Sequence, residues 1–294
     1  MFTGLSAFPL TPTSEDGIDE RGFANLVARL SAAGVDSIGA LGSTGGYAYL
    51  TREERARAAR IAVDAAGGVP VMVGIGALRT SQVRAHAEDA QNAGASAVLL
   101  APASYQPLND DEVFGLFEDV SRELSVPLCV YDNPGTTHFT FSDELHGRIA
   151  ALPNVAAVKI PGIPADQARE RIATLRGKLP RDVAVGVSGD QFAAGGLNGG
   201  ADLWFSVLGG LLPEHCLAIT RAAADGDSGK ATALSDQLSP LWTLFRQYGS
   251  IRVVSAAAEH LGLITGPNLP RPLRGLDPAA RKEVAAVLDQ ILAE

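Results

Sequence analysis

One lysine stands out by its surroundings. The segment NVAAVKIPG, residues 154–162, is an apolar, β-branched run that carries a single charge, Lys159, near its end. Only four lysines occur among the 24 basic side chains, and the other three, Lys178, Lys230 and Lys282, lie in polar stretches. An ordinary lysine, with a pKa of about 10.4, keeps its proton at neutral pH and cannot attack a carbonyl. Desolvation disfavours the ammonium, so apolar walls release the free amine. Its product with an aldehyde or ketone is a Schiff base, whose protonated nitrogen draws electrons and permits a carbanion or enamine at the adjacent carbon. Such an amine would support aldol-type chemistry. The structural alternative is a lysine whose stem packs at a strand end while its head reaches a carboxylate at the rim.

Carbon–carbon chemistry also needs a proton carrier. In VYDNPGTTHF, Tyr131 ends the β-branched run that precedes the lysine's. A phenol both donates and accepts a proton and can polarise a carbonyl or carbinolamine oxygen. A third stretch, LGSTGG at 41–46, sets the hydroxyls of Ser43 and Thr44 between glycines, with Gly45 next in line. A turn of this kind gathers backbone N–H groups and hydroxyls into a nest for a small anion such as a carboxylate. It lacks the lysine of a phosphate loop and would also serve as an ordinary turn.

These residues need a scaffold that brings strand ends together. Short β-branched runs alternate with longer amphipathic stretches at intervals of about 25 to 30 residues, the rhythm of repeated βα units. Eight strands are expected, beginning near residues 4, 37, 69, 97, 127, 155, 183 and 203. Eight units predict an α/β protein with a (β/α)₈ barrel, whose functional side chains stand at the C-terminal strand ends. A doubly wound sheet would carry a phosphate fingerprint after its first strand, and TPTSEDG offers none. The barrel is expected to span residues 1–224. Residues 225–294 read as a three-helix C-terminal segment, with helices at 230–247, bent at Pro240, at 250–263 and at 278–292, the last opened by Asp277 and Pro278.

Composition narrows the class. A net charge of −9 without a basic stripe argues against nucleic acid as a partner. No run approaches the ~20 apolar residues of a membrane span, and the first residues lack a signal peptide's pattern, so a cytoplasmic protein is expected. Cys129 and Cys216 read as small buried hydrophobes, and the five histidines form no metal-ligand pair.

Taken in order, FPLTP, GSTGG, YDNPG, VAAVKIPG, SGD and FSV resemble the dihydrodipicolinate synthase and N-acetylneuraminate lyase family nearly end to end. The resemblance implies a barrel with a helical C-terminal part, assembled as a homotetramer, without metal or organic cofactor. It implies that Lys159 forms the Schiff base with pyruvate or another 2-oxo acid, that Tyr131 and Ser43 relay protons, and that Thr44 and Gly45 help hold the carboxylate. Gly189 and Asp190 fall in a substrate-facing loop, and the Phe205 carbonyl falls beside the lysine. The relay tyrosine that the family takes from a neighbouring subunit belongs to a PxYY pattern. Here PASYQP offers Tyr105 one place late.

Other departures bear on the second substrate. The family's synthases carry an arginine where this chain has Thr136, which removes a bidentate carboxylate donor. Gly46 and Tyr47 follow GSTG where a glutamate is common. Where lysine-inhibited members have an asparagine and a glutamate, this chain has Leu78 and Gln82. These differences point from aspartate semialdehyde and feedback by lysine toward a 2-keto-3-deoxy sugar acid or related substrate. The alternatives are a true 4-hydroxy-tetrahydrodipicolinate synthase and a non-catalytic barrel that binds a 2-oxo acid.

Overall fold

Each β-branched run expected to form a strand does so in the computed structural model, which describes residues 1–293. The strands are β1 (Gly4–Ala7), β2 (Thr13–Ser14), β3 (Gly17–Ile18), β4 (Ser37–Ala40), β5 (Val71–Gly74), β6 (Ala97–Leu100), β7 (Leu128–Tyr131), β8 (Val155–Ile160), β9 (Ala184–Val187) and β10 (Leu203–Ser206). β2 and β3 pair antiparallel as a small hairpin outside the eight expected strands; Glu15 and Asp16 form its turn, and Gly17, at φ 116°, follows them. The other eight close into a parallel barrel, with β1 lying between β4 and β10.

Side chains alternate along every strand, and both faces are covered. Val71, Val98, Leu100, Val130, Val158 and Ile160 belong to the layer packed under the helices. Met72, Leu99, Cys129, Tyr131, Ala157, Leu203 and Phe205 fill the interior together with Phe8. Two-sided burial explains why the strands read as continuous apolar runs rather than as alternating ones. Glycines make room for the largest interior rings. A Cβ on Gly39 would lie 2.3 Å from Phe8 Cζ, and one on Gly186 would lie 2.3 Å from Phe205 Cε2.

The ladder between β7 and β8 contains a register shift. Leu128 pairs with Val155 but Cys129 pairs with Ala157, so Ala156 is the extra residue of a bulge. Beyond it Tyr131 stands directly beside Lys159.

Helix starts follow their local signals. Thr51 and Glu54 form the expected capping box, and Asp277 accepts the backbone N–H of Ala280 at 2.9 Å where the last helix begins. The expected helix at 230–247 is instead two helices, Ser228–Gln237 and Ser239–Tyr248, which meet at Leu238. Pro240 has no amide hydrogen, and its ring would strike the carbonyl of Asp236 in a continuous helix, so the chain restarts rather than bends. With Ser250–His260 and Pro278–Ala293, four helices rather than three follow Ala224 among the described residues. Among the described residues no helix is long and apolar enough to cross a membrane.

Candidate active site

Lys159 enters the barrel interior from β8 and is only 5% exposed. Its Nζ lies 4.1 Å from the ring centroids of both Phe8 and Tyr131 and 5.2 Å from that of Phe205. The three aromatic rings supply the apolar walls that the sequence suggested, and their π faces receive the side chain's polar end. No carboxylate lies within salt-bridge distance of this amine among the described residues. The rim-pairing alternative therefore has no partner here.

Tyr131 occupies the adjacent strand at the same level. Its Oη accepts a hydrogen bond from Asn133 Nδ2 at 2.8 Å and lies 3.4 Å from Ser43 Oγ. Ser43 belongs to the turn after β4, in which Gly46 donates its N–H to the Ser43 carbonyl at 3.1 Å. Gly46 sits at φ 63°, and Thr44 is buried beside it. Gly45 is held tightly: a Cβ there would lie 3.1 Å from the backbone of Leu41 and from Thr11 Oγ1. One end of the barrel thus joins a buried amine, a hydrogen-bonded phenol and a glycine-flanked hydroxyl turn. Asn133, two residues after Tyr131 in YDNPG, joins the site without a signal in its local pattern; its amide donor fixes where the phenol oxygen sits.

The Asp190 carboxylate is buried and held by the protein's own donors. Trp204 Nε1 and the Val207 N–H donate to Oδ1 at 3.0 and 3.2 Å, and the Leu208 N–H donates to Oδ2 at 2.7 Å. Burial pushes this carboxyl up, while those donors pull it down. Its effect is to fasten the loop after β9 to the loop after β10. Gly189, at φ 77°, packs against Gly162, just past Lys159 on the chain. Phe205 flanks the amine with its ring. Tyr105 is 89% exposed within this chain. Thr136 lies exposed in a short helix, Pro134–Thr137, so no cation replaces the missing arginine at that position.

The family model for the dihydrodipicolinate synthetase family matches residues 1–291. The chain belongs to that family. The 4-hydroxy-tetrahydrodipicolinate synthase of Hyphomonas neptunium is 31% identical over 291 residues, covering 98% of each chain. A crystal structure described as dihydrodipicolinate synthase from Agrobacterium tumefaciens is 48% identical, with a TM-score of 0.95 over 99% of this chain and 98% of that one. The crystal structure of YagE, a prophage protein of the same family from E. coli K12, was solved with pyruvate. It is 26% identical, with a TM-score of 0.91 over 99% of each chain. Membership makes this protein a class I, pyruvate-dependent lyase on a (β/α)₈ barrel.

Proposed function

We propose that Lys159 forms a Schiff base with the keto carbon of pyruvate or a similar 2-oxo acid, with Tyr131 as the proton donor and acceptor. The observation that carries this reading is the register of β7 and β8, which sets a hydrogen-bonded phenol beside a buried amine that lacks a carboxylate partner. Attack by the amine gives a carbinolamine. Tyr131 protonates the departing hydroxyl, and the nitrogen lone pair closes the C=N bond. Ser43 and Asn133 hold the phenol where it can do so. Thr44 and the Gly45 turn offer the 2-oxo acid's carboxylate a nest of hydroxyl and N–H groups.

For the second substrate, the relatives' names favour aspartate semialdehyde, the acceptor of a true 4-hydroxy-tetrahydrodipicolinate synthase. They weigh against the 2-keto-3-deoxy sugar acid suggested by Thr136, Leu78 and Gln82. The exposed neutral side chain at 136 still supports the sugar-acid reading, since it leaves the acceptor's carboxylate without a bidentate partner there. Borohydride reduction in the presence of pyruvate should add the reduced adduct's mass to the peptide containing Lys159. Assays of condensation with aspartate semialdehyde, run beside cleavage of 2-keto-3-deoxy sugar acids, then choose between the acceptors. An unmodified lysine across a panel of 2-oxo acids would leave a non-catalytic binding barrel.

A further inference from the structure

The relay through Tyr131 needs a second proton source, because a phenol that has protonated one leaving group must be recharged before the next. Tyr47 is the phenol placed to do this. It follows the Ser43–Gly46 turn and begins a single turn of 3-10 helix, Tyr47–Tyr49. Its ring reaches the backbone just beyond β5. A Cβ on Gly76 would lie 3.3 Å from Tyr47 Oη and 3.3 Å from the carbonyl oxygen of Ala101. The hydroxyl therefore sits over the exits of β5 and β6, the strands that precede Tyr131's own in the barrel order. Burial raises the Tyr47 pKa, so the resting phenol holds its proton; Arg55 pulls it down and the nearby Tyr131 pushes it further up.

Beneath the ring lies an unusual cation. Arg55 is buried, with its guanidinium carbon 5.2 Å from the Tyr47 ring centroid. It donates to the carbonyls of Gly76 and Gly74 at 2.9 and 3.0 Å, and its Nε has no partner. No carboxylate neutralises it within salt-bridge distance among the described residues, so a negative charge arising briefly on Tyr47 would be its nearest compensation. Tyr47 and Arg55 also line a cavity of about 570 Å³ between the β4 loop and the helix at Thr80–Asn92, from which water can supply protons.

We propose that Tyr47, in the same chain, is the outer proton carrier that recharges Tyr131. This inference rests on the Schiff-base reading. As the carbinolamine C–O bond breaks, its oxygen leaves as water with the Tyr131 proton, and the nitrogen lone pair becomes the C=N bond. The Tyr131 phenolate then takes the Tyr47 proton by way of a water in the mouth. Tyr47, transiently a phenolate above Arg55, recovers a proton from the cavity. Each cycle leaves both phenols as they began.

The test uses the full chain with pyruvate as the probe and rapid borohydride quenching to time adduct formation on Lys159. Tyr47→Phe keeps the ring over Arg55; it should slow adduct formation by roughly 10²-fold, at the low end of general acid–base effects, without changing the pyruvate concentration for half-saturation. The double variant Tyr47→Phe/Tyr131→Phe should be no slower than Tyr131→Phe alone, because Tyr47 acts only through Tyr131. Full-rate adduct formation in Tyr47→Phe, or losses that multiply in the double variant, would overturn the proposal. So would slowing by Tyr105→Phe while Tyr47→Phe runs at the wild-type rate, which would hand the outer position to Tyr105. A wild-type chain that forms no adduct at all would sink the Schiff-base reading instead.

Discussion

Two neighbouring residues on one strand exit, Tyr131 and Asp132, enter opposite environments. Tyr131 points into the barrel, where Asn133 and Ser43 meet its hydroxyl at the mouth. Asp132 lies on the other side, 3.6 Å from Nε2 of His146, a fully buried ring stacked on Phe141 at 4.8 Å. Neither His146 nitrogen nor Asp132 Oδ1 has a hydrogen-bond partner. Burial pushes the Asp132 carboxyl up to about 7 and holds the His146 ring down at about 4. A search guided by perturbed titration alone would choose the second pair. Geometry chooses the first, because Lys159 and Tyr131 stand side by side within reach of the Ser43 turn, whereas His146, on the helix at Asp143–Ala150, is fully buried and stacked on Phe141.

Substitutions on the inner side should cost chemistry. Lys159→Ala should abolish turnover while the fold survives, and Lys159→Arg should fail equally, since a guanidinium stays protonated and cannot form an imine. Steady-state assays together with circular dichroism check both, and multiple turnovers by either variant would refute the lysine's role. Tyr131→Phe should slow the chemical step by roughly 10²- to 10⁴-fold with little change in pyruvate binding. Stopped-flow kinetics separates the two, and a change confined to KM would make Tyr131 a binding residue.

Gly39→Ala probes how closely the inner wall is built. Its new methyl would collide with the Phe8 ring that flanks Lys159. Overpacking of this kind costs about 1 to 3 kcal/mol, readable from urea denaturation, and should also lower turnover by tilting Phe8. A variant of unchanged stability and rate would mean that Phe8 has room to move.

Changes on the outer side should alter only how stability depends on pH. Between about 4 and 7, folded Asp132 keeps a proton that the unfolded chain releases, so its contribution is present in acid and lost as pH rises. Between about 6.5 and 4, the unfolded chain protonates His146 while the fold does not, so that contribution is lost as pH falls. The two slopes oppose each other across the shared window. Asp132→Asn should therefore melt lower at pH 5 than at pH 7, by roughly 2 to 4 °C per kcal/mol lost, and His146→Leu should show the reverse trend. Parallel pH profiles for the two variants would break the contrast, as would a large loss of turnover in either.

The parts most legible from sequence were those set by local pattern. Strand runs, the Thr51 capping box and the Asp277 cap each depend on residues a few places apart. Lys159 and Tyr131 were legible because each ends a β-branched run. Four features depend on contacts that local pattern does not specify. The collar of Asp190 hydrogen bonds is supplied by Trp204, Val207 and Leu208, and an aspartate in SGD reads the same whether it faces solvent or protein. Asn133 matters because its amide turns back to Tyr131. Phe8 reaches the lysine only because Gly39 leaves a hollow across the sheet. The restart at Leu238 was hidden because a proline is compatible with either a kink or a new helix, and packing decides between them.

The extra residue at Ala156 sets a phase. Side chains on a strand change sides with every step, so parity decides which of them shares the interior with a neighbour. Count from Leu128 and Val155 without the insertion, and Tyr131 arrives opposite Val158, with the amine one step out of step. One additional alanine, chemically inert and remote from the mouth, thus acts as a frameshift corrected in space rather than in the gene. Deleting it would leave both the lysine and the tyrosine in the sequence, with nothing to bring them into the same beat.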